Sequence, residues 1–136
     1  KDTNVVELEK VLKFSNQAGI RNIVYVMFGF PTETKDEFMD TIQFLKRNAD
    51  NITLVSSSVF GLQKGTPIYL NPNDYGITKI IEKKRELLED QISYKAGCGL
   101  SHDEVLDLKK KYKKSIEGVN KVPKTMNFFR EHVFFI

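Results

Sequence analysis

The chain has 136 residues, of which 40% are hydrophobic, and this suits one modest domain with an apolar core rather than two. The net charge of +3 comes from 21 basic and 18 acidic side chains, so the small basic excess gives no strong indication of nucleic-acid binding. The one cysteine cannot form an internal disulfide, and no apolar run reaches the ~20 residues that span a bilayer. We therefore expect a cytoplasmic protein without a membrane segment. Because the sequence starts at Lys1 and enters a helical pattern almost at once, we also expect it to be part of a longer protein.

The chain opens with a helix and a strand. Apolar residues at helical spacing predict the helix over residues 4–18, with Thr3 or Asn4 as its cap and Gly19 at its end. The unbroken apolar run over residues 23–28 then predicts a strand that is buried on both faces, as strands of parallel sheets are.

A second helix and a second strand follow. Thr34 and Glu37 have the spacing of a capping box, and the apolar positions after them predict a helix that ends near Asn48. Residues 52–60 are rich in β-forming residues and predict a strand. Strand, helix and strand together predict a right-handed parallel βαβ unit in an α/β fold.

The second half of the chain has a helical pattern. Glycines and prolines make residues 61–76 a loop, after which a long helix is predicted over residues 78–96. A second capping box at Ser101 predicts another helix, which ends at Gly118, and the tail over residues 127–136 is apolar. We therefore expect a first domain over residues 1–76 and a C-terminal helical extension over residues 77–136.

This architecture is incomplete by itself, because two strands do not make a stable parallel sheet. The missing strands must come from the rest of a longer protein or from another copy of the chain. The isolated chain is therefore expected to self-associate into a homo-oligomer through uncovered apolar edges and faces.

The stretch VMFGFPTET, residues 26–34, stands between the first strand and the second helix. In α/β proteins ligands bind at the carboxyl ends of strands, and Gly29 lies at such an end. A glycine there lets a ligand approach the backbone, while Pro31 stiffens the turn. Two interpretations stay open on these residues alone: an ordinary strand-to-helix turn, or the wall of a ligand site.

Four motifs in order extend this pattern. They are FSNQAGI (residues 14–20), GFPTET (29–34), and the VFG and GTPIY that begin and end VFGLQKGTPIY (59–69). Together they resemble the second half of the radical S-adenosylmethionine (SAM) enzyme core, in the branch with GFPxET or GLPxET after the fifth strand. Many members of that branch are Fe–S oxidoreductases and some carry a cobalamin domain. The likeness covers roughly residues 4–69.

The resemblance implies a partial (β/α) barrel in the parent protein. In that family a 4Fe–4S cluster on a CxxxCxxC motif reduces SAM, and the 5′-deoxyadenosyl radical that forms abstracts hydrogen from the substrate. This chain departs from the pattern, because Cys98 is its one cysteine and a cluster needs several thiolates. The resemblance thus implies that the chain is a C-terminal part, which is inactive alone, binds neither cofactor alone, and needs the N-terminal half of the same protein.

By position, the resemblance implies four cofactor-binding residues. Met27 and Gly29 would line the adenine of SAM, and Phe60 would pack near the other side of the ring. Tyr25 would point to the ribose or to the barrel interior. For Met27 and Phe60 a plain core role is the alternative.

Three further residues take lesser roles in this comparison. Glu33 matches the glutamate of the family and is expected to hold the loop rather than to act in catalysis. Ser56 and Ser58 alternate along the second strand and can touch a substrate if that face lines the barrel; otherwise they are merely tolerated there.

The other residues with reactive or metal-binding side chains give little indication of function. His102 lies at a helix start without a second ligand at zinc spacing, and His132 stands alone in the apolar tail. Cys98 lies between two glycines with no paired base, and the lysines of residues 109–114 suit a solvated helix face. No catalytic or metal residue is assigned. Two alternatives stay open: a stand-alone α/β module whose glycine turn holds another nucleotide, and a partner-binding or oligomerisation unit.

Overall fold

A computed structural model of the chain describes residues 4–81 and 92–129 and gives a mixed α/β protein. The helices are α1 (Val5–Gln17), α2 (Lys35–Arg47), α3 (Pro67–Leu70), α4 (His102–Lys111) and α5 (Lys113–Glu117), and the strands are β1 (Ile23–Phe28), β2 (Leu54–Val59), β3 (Ile77–Ile81) and β4 (Ser93–Ala96). Short 3-10 helices cover residues 49–51, 72–75 and 124–127. None of the helices in the described ranges is long and apolar enough to cross a membrane.

The predicted parallel pairing of the two strands, with a helix between them in sequence, is confirmed, but β1 is not buried on both faces as expected, because Tyr25 and Met27 are exposed on one of them. β1 and β2 are hydrogen-bonded neighbours. The Asn22 carbonyl accepts from the Thr53 N–H at 2.9 Å, and the Phe28 carbonyl accepts from the Phe60 N–H at 2.7 Å. Because both strands advance in the same direction between these two bonds, they run parallel. Over residues 4–81 and 92–129 the strands form this sheet and a second two-stranded one, and a barrel is not seen there.

The ends of α1 follow from its sequence. Asn4 caps the start, since its side-chain oxygen accepts from the Val6 N–H at 3.0 Å. At the other end Gly19 adopts a φ of 77°, and the N–H groups of Gly19 and Ile20 donate back to carbonyls in the last turn. This is the Schellman arrangement that the glycine predicts.

The chain divides into two compact units, each built from separate stretches of sequence. Among the described residues, the first unit comprises 4–26, 40–57 and 111–129, and the second comprises 27–39, 58–81 and 92–110. β1, α2 and β2 each contribute residues to both units. The division expected at residue 76 thus differs from these interleaved units, and as a statement about domains it stays a prediction.

The first unit has an apolar core, and asparagine side chains beside it form hydrogen bonds with backbone groups. Its buried residues are Leu12, Ile42, Leu45, Ile52, Leu54, Val55, Ile116 and Val119. The side-chain amide of Asn22 donates to the Leu12 carbonyl at 2.9 Å and to the Asn51 carbonyl at 2.7 Å. Asn120 accepts from the Val55 N–H at 2.7 Å, so the segment after α5 satisfies a backbone group of β2.

The core of the second unit is aromatic. Phe60, Leu62, Ile77 and Ile92 form one buried cluster, with Phe30, Ile68, Tyr69, Ile80 and Tyr94 packed against it. The rings of Phe28 and Phe38 lie 4.5 Å apart between centroids, and both side chains are fully buried. The second unit thereby holds the ends of both parallel strands.

The helix predicted over residues 78–96 is wrong for the described part of that range. β3 and β4 pair antiparallel there, with Ile80 opposite Tyr94 and Lys79 opposite Lys95. Ile80 and Tyr94 pack on the core while both lysines are exposed, which is a period of two rather than of 3.6. The helical spacing relied on residues 82–91, which lie outside the described residues.

The helix predicted from Ser101 to Gly118 is present but interrupted. Ser101 and Glu104 form the predicted capping box, and Gly118 ends the segment. At Tyr112 the helix breaks, with φ −94° and ψ 10°, so that α4 and α5 are separate helices. The apolar tail was predicted over 127–136, and its residues from 130 onward lie outside the described ranges.

Candidate functional site

The turn after β1 is held by its own glutamate. Gly29 adopts a φ of 79°, a left-handed conformation that suits glycine, and its N–H donates to Glu33 Oε2 at 2.5 Å. The Glu33 N–H in turn donates to the Phe30 carbonyl at 2.8 Å. Glu33 therefore closes the turn with its side chain and with its backbone, and the side-chain bond agrees with the loop-holding role that the resemblance implies.

The electrostatics of the turn follow from partial burial. Removal from water raises the pKa of the Glu33 carboxyl; the hydrogen bond from the Gly29 N–H opposes this, and the nearby Glu37 carboxylate adds to it. Glu37 shows the opposite shift, because hydrogen bonds from the Thr34 backbone and hydroxyl lower its pKa. Glu37 thus stays ionised in its capping box, and Glu33 is the carboxyl of the turn that holds its proton more strongly.

A second segment of the chain packs directly on this turn. The Leu100 N–H donates to the Glu33 carbonyl at 2.8 Å. Gly99 comes so close that a Cβ there would lie 2.8 Å from the Glu33 carbonyl oxygen. A Cβ on Gly29 would lie 3.1 Å and 3.2 Å from the two methyl carbons of Val105, which is fully buried. Gly29 and Gly99 therefore permit close packing of the turn against the start of α4, a contact that was not predicted from the sequence although Gly99 marks it.

Four of the six predicted cofactor and substrate residues lie in the second unit. Met27 is 52% exposed and Ser58 is exposed, whereas Phe60 is 6% exposed. Gly29 and Phe60 are brought together by Tyr94, whose hydroxyl donates to the Gly29 carbonyl at 3.5 Å and whose ring meets the Phe60 ring edge-on at 5.8 Å. Met27 lies within β1 and Ser58 within β2.

The other two residues belong to the first unit. Tyr25 is 63% exposed, and Ser56 is half-buried. Their predicted roles toward ribose and substrate stay predictions.

A cavity of about 430 Å³ lies in the second unit beside Phe60. Its floor is apolar and its rim carries hydroxyl, amino, imidazole and carboxylate groups. The residues that line it are Phe60, Gly61, Leu62, Ile92, Ser93, Tyr94, Lys95, Ala96, Gly99, Leu100, Ser101, His102 and Glu104. Its volume lies within the range of small-molecule pockets, so it is a concave site with room for a ligand.

The sequence also drew attention to two histidines, the cysteine and the lysine run. His102 stands at the rim of this cavity at the start of α4, and Cys98 is an exposed free thiol. In residues 4–81 and 92–129 no three His, Cys, Asp or Glu side chains are grouped so as to hold a metal ion. Lys111 lies with its Nζ 5.6 Å from the Tyr112 ring centre, and His132 lies outside the described residues.

Comparison of the chain with protein-family models, with curated proteins and with solved structures gives no match.

Proposed function

We propose that this chain is the C-terminal part of a radical SAM enzyme core, of the Fe–S oxidoreductase type, and that it contributes to the adenine side of the SAM site in its parent protein. The observation that carries the proposal is the hydrogen bond from the Gly29 N–H to Glu33 at 2.5 Å. It fixes the GFPTET turn at the carboxyl end of β1, where α/β proteins bind ligands, and it gives Glu33 the loop-holding role that the resemblance implies.

The order and direction of the elements support the same proposal. β1 and β2 run parallel with α2 between them, and the Phe60 N–H donates to the Phe28 carbonyl, so both strand ends meet at one edge of the sheet. In a partial (β/α) barrel, further parallel strands would continue this sheet. We propose that the N-terminal half of the parent protein supplies them.

The residues present fit the adenine side of SAM in part. The Met27 side chain is half-exposed at the end of β1 and Phe60 is an aromatic wall, so both can pack on a planar ring. Gly29 fits less well, because its N–H and its carbonyl are already paired with Glu33 and Tyr94. We derive no catalytic step from these residues.

The cluster does not fit this chain, since Cys98 is its one cysteine and three thiolates are needed for CxxxCxxC. In the proposal the cluster and its reductive chemistry therefore belong to the N-terminal half of the parent. The exposed free thiol of Cys98 suits the reducing cytoplasm in which we place the protein.

The alternative, an independent module that binds a nucleotide at the glycine turn, has less support. Val105 occupies the space that the missing side chain of Gly29 leaves, so packing explains this glycine without a ligand.

The coding sequence that precedes Lys1 tests the proposal at once. We expect a CxxxCxxC motif within about 200 residues upstream, because a partial barrel of this size places its cluster loop after the first strand. A complete upstream reading frame without that motif would remove the basis of the proposal.

A further inference from the structure

We propose that the cavity beside Phe60 is a binding site for a nucleoside monophosphate, in which the backbone edge of β4 reads the base and Lys95 holds the phosphate. The site shares Phe60 with the residues proposed for SAM, but the groups that would bind the base and the phosphate lie on β4, so the inference does not depend on the proposed function.

The cavity is a wedge between the segment that contains Leu62 and the segment that contains Ile92, and these two segments are paired at one end of it. At its closed end the Ile92 N–H donates to the Leu62 carbonyl at 3.0 Å in an isolated antiparallel bridge. Two residues before Leu62 the two segments are no longer paired, because the Phe60 N–H donates to the Phe28 carbonyl on β1. A gap with one closed end suits a small molecule rather than an extended peptide.

The backbone of β4 faces this gap with one open edge. The Gly97 N–H donates to the Gly76 carbonyl toward β3, so residues 93, 95 and 97 direct their backbone groups to β3. Because backbone groups alternate along a strand, Tyr94 and Ala96 direct theirs to the other side, as Ile92 does toward Leu62. Outside the β3–β4 pairing, no backbone–backbone hydrogen bond from a described residue reaches Tyr94 or Ala96. They present two donors and two acceptors, which matches the donor and acceptor groups along the edge of a nucleobase.

The floor of the cavity suits the faces of a planar ring. Phe60, Leu62 and Ile92 are all less than 9% exposed, and Leu100 is half-buried. Tyr94 closes the floor edge-on to Phe60. A base that stacks on an aromatic ring gains about 1–3 kcal/mol.

The rim favours an anionic group. Lys95 is the one lysine among the described lining residues, and no carboxylate of the described residues lies within 4.0 Å of it. It stands directly opposite Lys79 on β3, so two like charges face each other there. Glu104 also stands at the rim, but its carboxylate accepts from the Ser101 N–H at 2.8 Å and from the Ser101 hydroxyl at 2.6 Å and is held in the capping box.

The experiment titrates the isotope-labelled full chain with AMP, GMP, CMP and UMP and follows the backbone amides by NMR. We expect at least one of them to bind with a Kd of about 1 mM or tighter and to shift the amides of Tyr94 and Ala96. Inorganic phosphate and the matching nucleoside are titrated separately, and each is expected to bind more weakly than the nucleotide.

Lys95→Gln and Lys79→Gln form a matched pair, because the two lysines are cross-strand neighbours and Lys95 alone lines the cavity. We expect Lys95→Gln to weaken the nucleotide about tenfold and Lys79→Gln to change its affinity less than threefold. The amide spectrum of each variant shows that it is folded. The proposal is overturned if no nucleotide binds up to about 5 mM, if phosphate alone binds as tightly, or if both variants bind alike.

Discussion

Gly29 and Val105 meet at the closest point of the turn after β1. Gly29 has a left-handed φ and a Cβ added there would lie 3.1 Å from a Val105 methyl carbon, so conformation and packing both call for glycine. Gly65 also has a left-handed φ, of 82°, but nothing lies within 4 Å of its Cβ position. A comparison of side chains added at the two positions therefore distinguishes the cost of backbone strain, which both share, from the cost of steric crowding, which only Gly29 has.

We predict that Gly29→Ala lowers the free energy of unfolding by about 2–4 kcal/mol and that Gly65→Ala lowers it by about 1–2 kcal/mol. Urea denaturation of the two variants measures the difference. In a double-mutant cycle, Val105→Ala should recover part of the loss at Gly29, because it removes the methyl groups that the new Cβ meets. Equal losses at both glycines would show that Val105 does not crowd the turn.

Glu33 gives a second prediction at the residue scale, through its pH dependence. Burial raises its pKa, so the folded protein keeps the proton where the unfolded chain loses it, and the contribution of this group to stability falls as pH rises from the ordinary value of 4.5 through the raised one. We predict that Glu33→Gln, which keeps an acceptor for the Gly29 N–H, gains stability relative to the wild type over that pH window. Denaturation between about pH 4 and pH 7 measures it. A stability difference that is constant with pH contradicts the assignment.

Glu33→Ala completes the comparison, because it also removes the acceptor. An unpaired Gly29 N–H costs about 1–3 kcal/mol, so this variant should be less stable than Glu33→Gln at neutral pH. If Ala and Gln at this position are equally stable, the hydrogen bond to Gly29 does not hold the turn.

At the scale of elements, the β3–β4 hairpin carries an unfavourable charge pair. Lys79 and Lys95 lie directly opposite each other on the exposed face of the two strands. We predict that Lys79→Glu raises the free energy of unfolding by about 0.5–1 kcal/mol at low salt, and that the gain shrinks in high salt. Thermal unfolding at two ionic strengths is the measurement. Lys64→Glu, on the exposed loop before α3, changes the charge equally without this neighbour and should have a smaller effect.

The elements also show which features the sequence could predict. Local signals were sufficient where a few neighbouring residues determine the structure: Asn4 and Gly19 delimit α1, and the Thr34 and Ser101 capping boxes start α2 and α4. β3 and β4 were missed because Ile81, Leu88 and Ile92 have helical spacing in the sequence, and strands of five and four residues are too short for their own period of two to outweigh it. The cavity was missed for another reason. It depends on where the chain leaves the Leu62–Ile92 bridge, and this is a tertiary property that no short motif records.

At the scale of the whole molecule, α1 leaves apolar side chains in contact with solvent. Val6, Val11 and Phe14 are between 56% and 62% exposed. We propose that this helix face is an interaction surface, which the N-terminal half would cover in the proposed parent protein.

We predict that the isolated chain self-associates and that Phe14→Lys shifts it toward the monomer. Sedimentation equilibrium over a range of concentrations measures the mass. Leu70→Lys is the matched control, because Leu70 is 66% exposed but lies on α3 in the other unit. A chain that stays monomeric at high concentration, or that responds equally to both variants, contradicts the expected role of the α1 face.

The measurement that tests the central claim most directly is the formation of 5′-deoxyadenosine by the parent protein. The complete gene product is reconstituted with iron and sulfide under anaerobic conditions, reduced, and mixed with SAM, and the nucleoside is quantified by mass spectrometry. We predict 5′-deoxyadenosine from the parent and none from this chain alone, since Cys98 cannot hold a cluster by itself. A parent that binds a 4Fe–4S cluster and yet leaves SAM intact, or a parent that binds no cluster at all, would contradict the proposal that this chain is part of a radical SAM enzyme.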